Sequence, residues 1–126
     1  MVMASKALAI LGLFPCLAAL PAAAGEIHRA LYAQVLACEK AEAVATIATL
    51  QRQQPPDVGR IKMVSARGRC VTIPNTVILA VEARETSPAG TVALVRATAQ
   101  AGDYAGGRWW VMADQLEMAG YERERR

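Results

Sequence analysis

The sequence predicts an α+β protein in which an N-terminal helix is stapled by one disulfide to a small antiparallel β-barrel. Three observations lead there. Residues 26–53 are rich in alanine and contain neither glycine nor proline. Beyond Gly59 the text changes to short β-branched runs separated by turn residues. Two cysteines, Cys38 and Cys70, remain once an export leader is set aside.

The leader accounts for residues 1–24. Lys6 precedes the apolar run ALAILGLFPCLAAL, and PAAAG places Ala22 and Ala24 at the −3 and −1 positions of a cleavage site. That run is shorter than the roughly 20 apolar residues of a membrane span. Retention of the leader as an anchor is the alternative. A lipid-modified Cys16 is a third reading, which Phe14 and Pro15 disfavour because small residues normally precede such a cysteine. Cleavage after Ala24 predicts a periplasmic or secreted protein with a helical segment over residues 25–58, a barrel over 59–118 and a charged tail over 119–126. Loss of Lys6 lowers the net charge from +3 to +2, too mild to predict a nucleic-acid partner or any membrane contact beyond the leader.

Export to an oxidising compartment and an even cysteine count predict a Cys38–Cys70 disulfide. Such a bond closes a loop of about 33 residues and stabilises by roughly 3 to 4 kcal/mol. Metal binding is the competing use of the thiols, but no histidine or third cysteine stands in a supporting pattern, and no metal or other cofactor is expected.

In chain order, Val44, Ile47 and Leu50 recur at helical spacing and predict a helix over residues 39–51, stopped by QRQQPPDVG. Residues 32–38 fit either the front of that helix or an extended segment leading into it. Ile61 to Ser65 alternates weakly, as a strand does. Cys70 to Ile73 and Thr76 to Arg84 are stronger strands joined at Pro74-Asn75, and the second buries Val77, Leu79, Val81 and Ala83 on one face. RETSPAG reads as a loop, Thr91 to Ala99 as a strand, AQAGDYAGG as a flexible connection and Arg108 to Met112 as the closing strand. The last six residues, YERERR, alternate charge without apolar period and read as a frayed end.

Trp109 and Trp110 are adjacent on a strand, so they point to opposite faces. If Trp109 joins Val111 inside, Trp110 stands outside with Met112, either under the helix or open to a ligand. A buried tryptophan removes on the order of 200 Å² from water, so an uncovered ring needs a reason. Here IPNTVILAVEARE, TVALVRA and GGRWWVMADQL together resemble the bacterial Src-homology-3-like domains of exported proteins, over residues 70–117. The matching positions are Asn75-Thr76 with Val77, Leu79 and Val81, then Val95-Arg96, then Gly107, Trp109 or Trp110 with Val111, and Leu116. Asn75 stands where that family has glycine, the tryptophan is doubled, and one extra residue separates Gly107 from the pair. The resemblance implies binding of cell-wall peptides or proteins and not catalysis. The N-terminal part also resembles small exported proteins of Gram-negative bacteria with no assigned activity.

The residues predict little reactive chemistry. The single histidine, His28, lies three residues past the cleavage point, where chain ends are usually mobile, and reads as an ordinary exposed or helix-face residue. Ser65 and Ser87 have no base near them in sequence, and the pairs Glu82/Glu85 and Asp114/Glu117 read as solvated surface. Arg60, Lys62, Arg67 and Arg69 form a basic cluster that, on strands, splits between two faces and reads as a soluble rim, with an anionic partner such as a glycan phosphate or an acidic protein as the alternative. The expectation is an exported, non-catalytic binding module for a cell-wall peptide, a glycan or a protein, with Trp110, Arg108, Tyr104 and Met112 as contact residues. The rivals are a small structural or inhibitory protein acting through a loop such as Arg84 to Gly90, and a small enzyme of unrecognised type.

Overall fold

A computed structural model describes residues 20–21 and 26–121, so the cleavage site and most of the leader lie outside the described residues, as does the end of the tail. The protein is α+β with a mostly antiparallel sheet, and strands come first. Strand β1 (Leu20–Pro21) is followed by β2 (Glu26–Ala30), β3 (Gln34–Ala37), α1 (Ala41–Gln51), α2 (Val58–Arg67), β4 (Val71–Pro74), β5 (Leu79–Ser87), β6 (Gly90–Ala97), β7 (Arg108–Met112) and β8 (Leu116–Tyr121). The expected order of a helix ahead of all strands is therefore corrected. Residues 34–37 take the extended alternative, because Val35 and Ala37 enter one core while Leu36 turns to another.

The main sheet runs β7-β6-β5-β2-β8, with β1 beside β5, and a second sheet pairs β3 with β4. It does not close into a barrel, which is the second correction. The physical reason lies at residues 31–33. After β2 the chain leaves the main sheet and pairs β3 with β4, and among the described residues the one backbone bridge from this ribbon to the β7 edge is between Cys38 and Trp110.

The disulfide joins Cys38 to Cys70 across 32 positions of sequence. Because Ala37 pairs with Val71, the two cysteines are the next facing pair, and everything between them is a helical hairpin inserted into a β-ribbon. The staple thus closes the base of both helices. Helix α1 buries Val44, Ile47 and Leu50.

Helix α2 replaces the strand expected over residues 61–65. Its start is set by Asp57, whose Oδ1 accepts the Arg60 N–H at 3.1 Å, after two prolines that suit a helix entry. Ile61 and Val64 then pack against the α1 core at i, i+3 spacing, with Gly68 buried one turn on. At Gly68 a Cβ would lie 2.5 Å from the Ala43 Cβ, so glycine is what lets this end of α2 touch α1.

Strands β5 and β6 reach further toward their shared turn than the sequence suggests, and their other ends fall short, β5 starting at Leu79 rather than Thr76 and β6 ending at Ala97 rather than Ala99. RETSPAG is mostly strand, closed by a tight turn in which the Ser87 hydroxyl donates to the Gly90 carbonyl at 2.6 Å and accepts from the Ala89 N–H. A bulge near Glu82 interrupts the expected run, so Val77, Leu79 and Val81 are buried while Ala83 is only partly so. The tail also differs: residues 116–121 form β8 on the free edge of β2.

Two cores result. One lies under the sheet and gathers Val35, Ile73, Leu79, Val95 and Val111. The other lies between the helices and the opposite face of β6 and β7, and gathers Cys38, Val44, Ile47, Val92 and Met112. Strand β6 is buried on both sides for this reason.

Candidate functional site

The alternation of β7 sorts its side chains between the cores. Trp109 and Val111 turn to the first, where Tyr104 meets Trp109 edge to face with ring centroids 6.3 Å apart. Trp110 and Met112 turn to the second and pack beside the disulfide and α1. Gly107 allows the Trp109 ring to fold back over the chain, since any Cβ there would run into that ring. Neither tryptophan stands free: both are half-buried.

Arg108, Trp110 and Met112 therefore share one side of β7, while Tyr104 belongs to the other. The four residues expected to contact a ligand are not brought together. Arg108 is exposed and is held by Glu82, with Nε 3.1 Å from Glu82 Oε1. Glu82 also meets the Arg96 Nε at 3.2 Å, so one carboxylate ties β5, β6 and β7 together on the surface.

Of the four, Met112 lines a cleft. This hollow, of about 400 Å³, opens where the second half of α1, the β3–β4 ribbon and the turn at Ala113–Gln115 meet. Its floor is apolar and includes Val35, Val44 and Met112, each almost fully buried. Its walls carry three side-chain amides, Gln34, Gln51 and Gln115, with one cation, Arg52, and one anion, Asp114. The Arg52 guanidinium is fixed by its hydrogen bond from Nη1 to the Ala89 carbonyl at 3.0 Å. Each amide offers donors and an acceptor, so the walls match a partly polar chain rather than a strongly charged one.

No family model, curated protein or solved structure matches the chain. Its own residues alone carry the functional reading. The glutamines are spread over β3, α1 and the turn before β8, and no local pattern in sequence joins them. The one signal was the apolar period of α1, which places Val44 and Ala48 inward beside the cleft.

A second hollow, of about 340 Å³, separates the outer side of α1 from the β5–β6 turn. Ala41, Ala45 and Val92 line it, with Glu42 and Glu85 among its polar residues.

His28 is the residue whose surroundings the sequence misjudged most. It is neither exposed nor on a helix, but sits in β2 between β5 and β8, 9% exposed. Its Nε2 lies 3.2 Å from Glu26 Oε1, and the Arg84 Nη2 donates to that same oxygen at 2.8 Å. Nδ1 is buried with no hydrogen-bond partner among the described residues. Burial holds the imidazole below its ordinary value of 6.5; Glu26 works against this and Arg84 with it. Among the described residues, no three His, Cys, Asp or Glu side chains gather to hold a metal ion.

Proposed function

We propose that the chain is an exported, non-catalytic binding module whose cleft over Met112 takes a peptide or glycan segment of an extracytoplasmic polymer or protein. The observation that carries this reading is the convergence of three amides, from β3, α1 and the turn before β8, over a single apolar floor. Such a floor removes the apolar edge of a sugar or side chain from water, while the amides satisfy hydroxyl, N–H and carbonyl groups. The disulfide supports export, because such bonds persist in oxidising compartments. Among the described residues no helix is long and apolar enough to cross a membrane. The antiparallel meander of β5, β6 and β7 supports kinship in form with Src-homology-3-like domains, although the sheet here stays open.

The test is a pull-down from the periplasmic or secreted fraction with the wild-type chain and with Gln51→Ala/Gln115→Ala, in which the amides are cut back without touching either core. Capture of a peptide or glycan component by the wild type and its loss in the variant is the expected outcome. Equal capture by both places binding elsewhere. One observation favours a second reading, a structural or inhibitory protein acting through the β5–β6 turn: the apolar hollow beneath that turn is of similar size. Substitution of Thr86 and Pro88 at the turn would then abolish the effect, and the glutamine variant would not.

A further inference from the structure

Helix α2 has one side packed and, among the described residues, one side with no partner. Ile61, Val64 and the buried Gly68 face α1. At 3.6 residues per turn, Gly59, Met63 and Ala66 then form the outward line. Lys62 flanks that line on one side, and Arg60 and Arg67 flank it on the other. All six are exposed, and Arg69 follows in the turn. Met63 is 51% exposed and Val58, at the helix start, 58%. Residues 58–69 thus carry four cations and no acid; since the whole chain has a net charge of +3, the remainder is close to neutral. Asp57 is engaged as the helix cap, and Glu39 meets this region at the far end, where its backbone N–H donates to the Gly68 carbonyl at 3.0 Å.

We propose that the outward side of α2 docks on an anionic lipid bilayer. The sequence read as a strand divides these cations between two faces; the helix puts them around one exposed methionine. An apolar side chain ringed by long basic ones suits the headgroup boundary, where the thioether enters the acyl region and the basic stems spread to meet lipid phosphates. A soluble polyanion would use the cations but not Met63 or Val58. Gly59 and Ala66 add no bulk on either side of Met63, so the helix can lie flat. Each basic group near an anionic leaflet contributes favourably and is screened by salt, so docking is reversible and falls as ionic strength rises.

The experiment is co-sedimentation of the full chain with vesicles of phosphatidylcholine alone and of phosphatidylcholine mixed with phosphatidylglycerol. Three forms are compared: wild type, Lys62→Glu/Arg67→Glu and Met63→Ser. All share the first 25 residues, so any contribution of that apolar run is common to them. The wild type is expected to bind the mixed vesicles in a salt-dependent manner and more tightly than the neutral ones. The double charge reversal is expected to weaken this on the order of tenfold or more. Met63→Ser is expected to weaken vesicle binding severalfold while leaving retention on soluble polyphosphate unchanged. Wild-type binding that ignores phosphatidylglycerol, or a double variant that binds like the wild type, overturns the proposal. So does a Met63→Ser variant that binds vesicles like the wild type, and in that case equal retention on polyphosphate makes a soluble acidic polymer the partner. Melting curves establish that each variant is folded, and Lys62→Gln/Arg67→Gln serves if the reversal lowers the transition.

Discussion

Cys38 and Trp110 exchange a reciprocal pair of backbone hydrogen bonds, from the Cys38 N–H to the Trp110 carbonyl at 2.9 Å and from the Trp110 N–H to the Cys38 carbonyl at 2.7 Å. Among the described residues, no other backbone bridge pairs the β3–β4 ribbon with the β7 edge of the main sheet. The disulfide grips the ribbon at that same residue. Reduction should therefore lower the melting temperature by roughly 12 to 30 °C, given about 3 to 4 kcal/mol from closing a loop of this length and the slope of a small domain. It should also shift tryptophan emission to the red as Trp110 loses its cover. Superimposable melting curves with and without reductant, on protein shown to be oxidised at the start, would contradict this.

Gly68 should tolerate no side chain. Its φ of −84° is ordinary, so the objection is space alone: an added methyl would meet Ala43 at 2.5 Å, the Val64 carbonyl at 3.1 Å and the Cys70 Sγ at 3.2 Å. Gly68→Ala is predicted to destabilise by about 1 to 3 kcal/mol through forced separation of the helices. Gly59→Ala, in open space on the same helix, should be neutral or slightly stabilising. Urea unfolding of the two variants checks the contrast, and equal midpoints would refute it.

Stability should depend on pH through His28. Its folded pKa lies below the unfolded value of 6.5, so the unfolded chain takes up the proton first as pH falls. Stability is then complete above about pH 6.5, declines as pH drops through that value, and levels off once the folded pKa is passed. His28→Gln should remove this slope, because the chain has no other histidine. An unaltered slope in the variant would assign the effect to carboxylates.

Arg69 sits at φ +50°, in the left-handed region that costs a side-chain-bearing residue about 1 to 2 kcal/mol. Arg69→Gly is predicted to raise stability by about 1 kcal/mol, less whatever glycine returns to the unfolded chain. A fall in unfolding midpoint would show that the guanidinium is held by more than its backbone position.

The legible parts of the sequence were those with a single strong period. Val44, Ile47 and Leu50 announced α1, and Arg108 to Met112 marked β7 with its bounds. The cysteine pairing followed from compartment and count. Two elements and the surroundings of one residue were hidden for separable reasons. In α2 the inward residues Ile61 and Val64 compete with a weak alternation through Met63, and the deciding group is the cap at Asp57. Strand β8 has one glycine and a charged residue in six, so only the free edge of β2 makes it a strand. His28 looks exposed in sequence because it lies near the expected cleavage point, whereas in space it is enclosed by Glu26 of its own strand and by Arg84 and Leu79 of the paired β5. The cleft was beyond reach for the same reason: its glutamines meet only after the ribbon has folded back.

The cleft over Met112 is tested most directly by amide and side-chain NH₂ shifts of the ¹⁵N-labelled, oxidised protein, titrated with soluble peptidoglycan fragments. Saturable shifts confined to Gln34, Gln51, Gln115 and the backbone around Met112 are the predicted result. Shifts confined to the turn at Ser87 to Gly90, with the three glutamines unmoved, would contradict it.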